Sequence, residues 1–354
     1  MNAKQNNTRK PEVSVCSVFF CVAVLIIHAS SQFVSLGDRS SLLFAGAAAL
    51  WRMCHFATYG FVFLAGLRFM LSWKKKNSPS VIKYYFSRIL RIVPLYLLWC
   101  VVYYVYDLII NRAHFSLTDL LLQILMGSGA GHLYFIPVLL QLALIAPLSA
   151  FLRKKLPASC LLVISLLITF IFGLHLPDML SSFFPKLPYF EYSDRVFTSY
   201  LIFWTFGCSV GNAYESFCAQ LDKLRPYVFG TFILCTALDL SSTYVSFIKG
   251  RFIWCLQDIS ILYVLSAITL VLTVSRMITK KSGAPAFFER ADLAGYLIYL
   301  SHILPLELTQ LLLNKLSVGI AVSLAVRFAV LAVWMLLCTL LYRKRLDRYH
   351  AKKS

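Results

Sequence analysis

Four groups of polar residues stand out in a chain that is otherwise strongly apolar. His28 lies near the end of the apolar segment 13–33 (VSVCSVFFCVAVLIIHASSQF). An ionisable side chain at membrane depth is costly, so it is expected to face a bundle interior or a water-filled cavity and to have a function there. Imidazole titrates near neutrality, which suits a general base that takes the proton of a hydroxyl. A hydrogen-bonded structural histidine is the other reading of the same residue. In the second group, KYYFSRILRIVPLY at 83–96, Arg88 and Arg91 stand three residues apart on one helix face. Paired guanidiniums can clamp a phosphorylated ligand. They serve equally well as snorkelling anchors in lipid headgroups. The third group, GHLYFIP at 131–137, opens an apolar span, where aromatic residues also fit a plain interfacial belt. The fourth is YLIYLSHILPLE at 296–307, with the mid-membrane His302 and the carboxylate of Glu307, which must have a partner at that depth.

The elements that hold these residues follow from hydropathy. With 59% hydrophobic residues over 354 positions and a mean hydropathy of +0.74, in long blocks, this is a polytopic membrane protein rather than a soluble domain. Spans of about 20 residues fall at roughly 14–34, 53–73, 87–110, 132–152, 158–176, 196–216, 226–246, 251–275, 292–313 and 318–342. The fold class is therefore an all-α bundle of ten transmembrane helices. No small-residue cleavage site follows the first span, which is expected to be retained. A membrane domain at 14–342 thus stands between an N-terminal tail, 1–13, and a basic C-terminal tail, 343–354.

Charge sets the orientation. One side of this frame holds Lys10, Lys74, Lys75, Lys76, Lys83, Arg88, Arg91, Arg153, Lys154, Lys155, Arg276, Lys280, Lys281, Arg290 and the basic C-terminal tail. The other holds only Arg39, Arg52, Arg112, Lys186, Arg195, Lys249, Arg251 and Lys315. The positive-inside rule then places both termini in the cytoplasm. The formal net charge of +19 reflects this topology and contact with anionic lipid rather than nucleic-acid binding. The 10 cysteines are scattered through the apolar spans without paired spacing and read as small buried hydrophobes, with no metal site.

Depth decides which polar groups can meet. Counted from the outer helix ends at 1.5 Å per residue, His28, Glu307 and Asp258 all lie roughly 10 Å below the outer surface, and Arg327 of the last span is at a similar level. Asp239 and Asp107 lie towards the same ends. One polar layer is expected from these residues.

The first-span His28, the motif Arg88-x-x-Arg91-Ile-x-Pro94-Leu-Tyr96, the stretch His132-Leu-Tyr134-Phe before a span containing Pro147, and Tyr299-Leu-Ser-His302 occur in that order over nearly the whole chain. In this the sequence resembles the acyltransferase-3 family of bacterial integral membrane O-acyltransferases. It is closest in style to stand-alone members that modify surface polysaccharides, including those of the intercellular-adhesin type. The resemblance implies transfer of an acyl group from cytoplasmic acyl-CoA to a hydroxyl of an extracytoplasmic glycan or glycolipid, in the bacterial cytoplasmic (plasma) membrane. It further implies that His28 is the catalytic base and that Arg88 and Arg91 bind the CoA donor. Acyl-CoA is then a substrate and no cofactor is needed.

A carboxylate, Glu307 or Asp258, would orient the imidazole, and His132, Tyr134, His302 and Arg327 are the candidate substrate-binding residues. One position departs from the pattern. The family often has an arginine eleven residues before the histidine, and Ser17 stands there, so donor binding would draw on Arg9, Lys10 or Arg68. About 21 Å of helix rise separates residue 14 from His28, near the reach of an extended pantetheine arm with its acyl group. Two competing functions share the basic inner face. A glycolipid transporter or flippase would call for matched repeats and broken helices in the two halves, of which the sequence has no sign. A non-catalytic sensor or assembly subunit would account for Ser17.

Overall fold

The computed structural model describes residues 10–75, 80–175, 182–183, 194–249, 259–280 and 283–351. Its regular structure is helical, as long apolar runs require: in hydrocarbon each backbone N–H and C=O must find its partner within the segment. The helices are α1 (Pro11–Leu36), α2 (Leu42–Cys54), α3 (Phe56–Lys75), α4 (Val81–Ile110), α5 (Leu117–Met126), α6 (Phe135–Lys155), α7 (Ala158–Ile168), α8 (Leu201–Asn212), α9 (Tyr214–Lys223), α10 (Arg225–Ile248), α11 (Ser260–Thr279), α12 (Ala286–Ser301), α13 (Ile303–Lys315) and α14 (Ile320–Ala351). A π-helical turn, Thr169–His175, extends α7, and a 3₁₀ turn, Phe197–Tyr200, leads into α8.

Among the described residues eight helical runs are long and apolar enough to cross a membrane, and the bent pair α12–α13 would make a ninth. The chain is thus a multi-pass membrane protein. The expected count of ten is not reached among the described residues: the expected ninth span is the bent pair α12–α13, residues 251–258 of the expected eighth lie outside the described residues, and two more spans differ in form. The expected second span is a 34-residue run, Leu42–Lys75, interrupted at His55. The expected sixth is α8, only 12 residues long, because the chain before it winds as a 3₁₀ turn. Of the nine cysteines described, seven are buried and all nine are free thiols.

The helices pack as two compact units. The first comprises Met1–Ala57, Leu221–Ile253 and Leu262–Ser354; the second comprises Thr58–Gln220 and Trp254–Ile261. In the first unit α1 is the central element, packed against α2, α12 and α14, while α12 and α13 also pack on α14 and α2 on α10. A helix apolar on all faces belongs in such a position, and Val15, Cys16, Phe20 and Ala29 of α1 are fully buried.

In the second unit α4 packs on α5 and α6, and α6 and α7 on α8. There α3 and α8 approach at backbone distance through Gly207 and Gly211, spaced as in small-residue membrane interfaces. A Cβ at Gly207 would stand 2.1 Å from the Phe63 carbonyl oxygen. Aromatic rings fill the rest of this joint, including Tyr59 on Phe203 at 4.8 Å and Phe63 on Phe206 at 5.1 Å.

Candidate active site

The first unit places His28 on the central helix, partly buried, and its backbone is held from outside that helix. Arg327 of α14 is 6% exposed and donates Nε to the Ala29 carbonyl at 2.9 Å and Nη2 to the His28 carbonyl at 2.8 Å. Its Nη1 donates to Gln310 Oε1 of α13 at 3.1 Å. Ser31 Oγ adds a second donor to the His28 carbonyl at 3.0 Å. A buried guanidinium is stable in such a place only if its N–H groups are satisfied, and here they are turned on the turn that carries His28. Arg327, expected to contact substrate, is placed as a clamp on the α1 backbone.

The His302 ring meets the His28 ring. Its burial is complete, and the two ring centroids are 4.8 Å apart with the planes at 56°. The sequence explains why a side chain sits there. Pro305 has no N–H to give the Ser301 carbonyl, and its ring crowds that carbonyl, so the helix breaks between α12 and α13 with a 51° bend. A break in hydrocarbon leaves carbonyls that water cannot serve. His302 serves them itself, its Nδ1 donating to the Tyr299 carbonyl at 2.7 Å and lying 3.2 Å from that of Ile298. Because a carbonyl can only accept, Nδ1 carries the proton, and in the neutral ring Nε2 holds the lone pair.

The same device recurs at the break between α2 and α3, which sequence reasoning missed. His55 caps α2, its Nδ1 donating to the Trp51 carbonyl at 2.7 Å, with the ring edge-on to the Trp51 indole at 4.1 Å. Beside it Arg52, assigned from sequence to an outer loop, is buried and paired with Asp239 of α10. Nε donates to Oδ2 at 2.8 Å and Nη2 to Oδ1 at 2.9 Å, with both side chains 2% exposed. Tyr263 of α11 donates its hydroxyl to the Met53 carbonyl. The signal was available: two ionisable residues three apart, Arg52 and His55, interrupt an apolar run.

The expected carboxylate neighbours of His28 are placed as follows. Glu307 is exposed on α13, three residues before the Gln310 that accepts from Arg327, and it forms no hydrogen bond with either the His28 or the His302 ring. Asp258 lies outside the described residues. Asp239 is committed to Arg52, and Asp107 accepts from Asn111 Nδ2 at 2.8 Å in the second unit. Beside the His28 turn, Ser30, Gly46, Leu50, Leu324 and Phe328 line an open apolar groove of about 540 Å³.

Towards the start of α1, Ser17, the position at which the resemblance would lead one to expect arginine, is buried. Nearby positions of that helix are occupied by local pairs: Ser14 Oγ donates to Asp292 Oδ2 at 3.1 Å, and Arg276 bridges Glu12 at 3.4 Å and Asp222 at 2.9 Å. Asp222 also meets Arg225 at 2.8 Å. Bonds from Arg276 first, then Arg225, hold the Asp222 carboxyl at about 2, below the ordinary carboxylate range.

The remaining candidates belong to the second unit. Arg88 and Arg91 lie in the first half of α4, Arg88 partly buried with its guanidinium 5.5 Å from the Tyr84 ring centre, Arg91 exposed. Arg91 joins Ile82, Lys83, Phe86, Ser87 and Leu90 around an open hollow of about 670 Å³ along that helix. His132 is buried edge-on to Tyr103, with ring centroids 5.6 Å apart. Tyr134 is partly buried at the start of α6 and hydrogen-bonded to Tyr200. The structure therefore brings His28, His302 and Arg327 together in one unit; Arg88, Arg91, His132 and Tyr134 belong to the other, where His132 packs on Tyr103, fifteen residues further along α4 than Arg88. Among the described residues no group of three or more His, Cys, Asp or Glu is arranged to hold a metal ion.

A multi-pass helical protein with two imidazoles in contact inside its membrane-spanning part has the character of an intramembrane enzyme. The family model of the acyltransferase domain Acyl_transf_3 matches residues 16–343. The chain belongs to the acyltransferase-3 family, and the reaction this indicates is acyl transfer to a hydroxyl of a polysaccharide-type acceptor. No curated protein and no solved structure matches it.

Proposed function

We propose that this protein moves an acyl group from cytoplasmic acyl-CoA to a hydroxyl of an extracytoplasmic glycan or glycolipid, with His28 as the general base. The observation that carries this reading is His28 itself: an imidazole within an apolar span of a family member, its turn clamped by Arg327 and its ring in contact with His302. His28 takes the proton of the acceptor hydroxyl as its oxygen attacks the thioester carbonyl. The tetrahedral intermediate then expels the CoA thiolate, which receives that proton from the imidazolium. Arg88 and Arg91 hold the phosphates of the donor at the cytoplasmic boundary. The frame for this is ten spans with both termini in the cytoplasm, supported by the distribution of basic residues, in a bacterial plasma membrane. Acyl-CoA is consumed as substrate, and the chemistry needs no further cofactor.

The test is reconstitution in liposomes with labelled acyl-CoA and a glycan acceptor. Label appears in ester linkage on the acceptor with the native protein and falls to background with His28→Ala. Movement of unmodified glycan across the bilayer would instead make the protein a transporter, and neither outcome would make it a non-catalytic subunit.

A further inference from the structure

The two sides of α4 are differently engaged over its first turns. One side is pinned inside the second unit. Tyr85 donates its hydroxyl to the Leu144 carbonyl of α6 at 2.7 Å, and the Tyr84 ring lies edge-on to Phe69 and Trp73 of α3 at 5.3 and 5.8 Å. Arg88 is drawn to that same ring. The other side is exposed. Lys83, Ser87 and Arg91 follow one another there at intervals of four residues, a row along one helix face. Ile82, Phe86 and Leu90 stand beside the row, and the six residues line the open hollow of about 670 Å³.

We propose that this face seats the nucleotide of the donor. Arg91 and Ser87 hold the diphosphate of acyl-CoA, Lys83 holds the 3′-phosphate of its ribose, and the adenine lies on the Phe86 ring. The inference rests on the acyl-CoA reading above and adds Lys83, Ser87 and Phe86 to it, with a direction for the ligand along the helix.

Charge, spacing and the aromatic ring each select for such a ligand. From Arg39 to Tyr106 the chain contains no Asp or Glu, so no carboxylate of α3, or of α4 before Asp107, offsets the cations of this face. Its complement is an anion. Lys83 and Arg91 are separated by about 12 Å of helix rise, which suits two anionic groups better than one. Midway between them Ser87 offers a hydroxyl that can donate to a phosphate oxygen. Coenzyme A has this pattern, because one ribose bears a 3′-phosphate and a 5′-diphosphate and the base projects from the same sugar. Phe86, 64% exposed, gives that base a face to stack on.

The order along the helix follows from where the thioester must go. Lys83 is two residues inside the start of α4, at the end proposed to meet the cytoplasm, and Arg91 lies about two turns deeper. Pantetheine leaves from the diphosphate. A diphosphate on Arg91 therefore sends the thioester away from the aqueous end, while a 3′-phosphate on Lys83 stays at the boundary and keeps its hydration. The reverse order would turn the thioester back towards the cytoplasm.

Calorimetry on the purified protein in phosphatidylcholine nanodiscs, with CoA and 3′-dephospho-CoA as probes, tests this without any transfer reaction. The native protein should bind CoA roughly tenfold or more tighter than its 3′-dephospho form, the effect of one lost charge-assisted contact. Lys83→Gln should lower CoA to the affinity of 3′-dephospho-CoA and leave the latter unchanged. Arg91→Gln should weaken both by a similar factor and keep the preference. Phe86→Leu should weaken both several-fold, and Phe86→Trp should retain native affinity. Equal binding of the two probes by the native protein, or a preference that survives Lys83→Gln, overturns the proposal and leaves CoA as donor. If neither probe binds, the donor reading falls and this inference with it. A row that holds lipid phosphate instead would retain phosphatidylglycerol in native mass spectrometry, lose it in Lys83→Gln, and show CoA affinity independent of Lys83, a result that also overturns the proposal.

Discussion

Arg52 and the pair Arg88 and Arg91 put the same functional group in opposite settings. Arg52 is buried in the first unit and sets Nε and Nη2 on both oxygens of Asp239. In the second unit Arg88 leans over a tyrosine ring and Arg91 is exposed beside an open hollow. A buried guanidinium must be neutralised and hydrogen-bonded by its own protein, because desolvation of an unpaired charge exceeds anything a contact returns. An exposed one retains room for a ligand and loses less when removed. The lesson for this chain is a contrast of settings: the buried Arg52 and Arg327 of the first unit are committed to groups of neighbouring helices, and Arg91 of the second lies exposed at an open hollow, where the proposed donor contact can be tested.

The largest effect that would break this comparison is at Arg52. Arg52→Met leaves the Asp239 carboxylate buried without its fork, which should destabilise the protein by about 3–5 kcal/mol. Much of that should return in the double variant Arg52→Met, Asp239→Leu. Thermal melting of the three proteins in the same detergent checks it, and an Arg52→Met protein as stable as the parent would show that the pair does not hold α2 to α10.

Next comes the base. His28→Ala should reduce turnover per folded molecule by roughly 10²-fold or more while acyl-CoA affinity stays near that of the parent. A structural histidine would behave in the opposite way, lowering the yield of folded protein while the surviving fraction kept its turnover.

The mirror experiment is Arg88→Gln with Arg91→Gln. Binding of acyl-CoA, measured by calorimetry, should weaken by about tenfold or more, with turnover at saturating donor little changed and folding intact, because the alkyl stems are nearly replaced in kind. Unchanged affinity would leave these arginines as lipid anchors.

The smallest effect lies at Asp222. Its carboxyl is held at about 2 against an ordinary value of 3.8, so its ion pairs with Arg276 and Arg225 contribute fully above pH ~4 and are lost as pH falls through about 2. Asp222→Asn should therefore melt slightly lower than the parent at neutral pH, and the two should converge towards pH 2. A gap that persists at pH 2 would mean that the contribution is not ionic.

What the sequence determined by itself is what hydrocarbon demands of any chain. Apolar runs of span length must be helical, so the all-α, multi-pass character was legible, and His28, Arg327 and His302 stood out because an ionisable residue inside such a run is conspicuous. Arg88 and Arg91 stood out by their spacing, and their proposed role awaits the binding measurement above. Tertiary structure alone decided partnership. Depth counting put Glu307 level with His28, but depth does not state which way a helix faces, and packing leaves Glu307 exposed while His302 meets the His28 ring. Arg327 was read as a substrate contact, but the neighbours that claim its N–H groups are carbonyls of α1 and Gln310 of α13, which only the folded bundle brings to it. The Arg52–Asp239 pair joins residues 187 positions apart. Local sequence records the cost of each buried charge, and only the packing of helices distant in sequence shows which group offsets it.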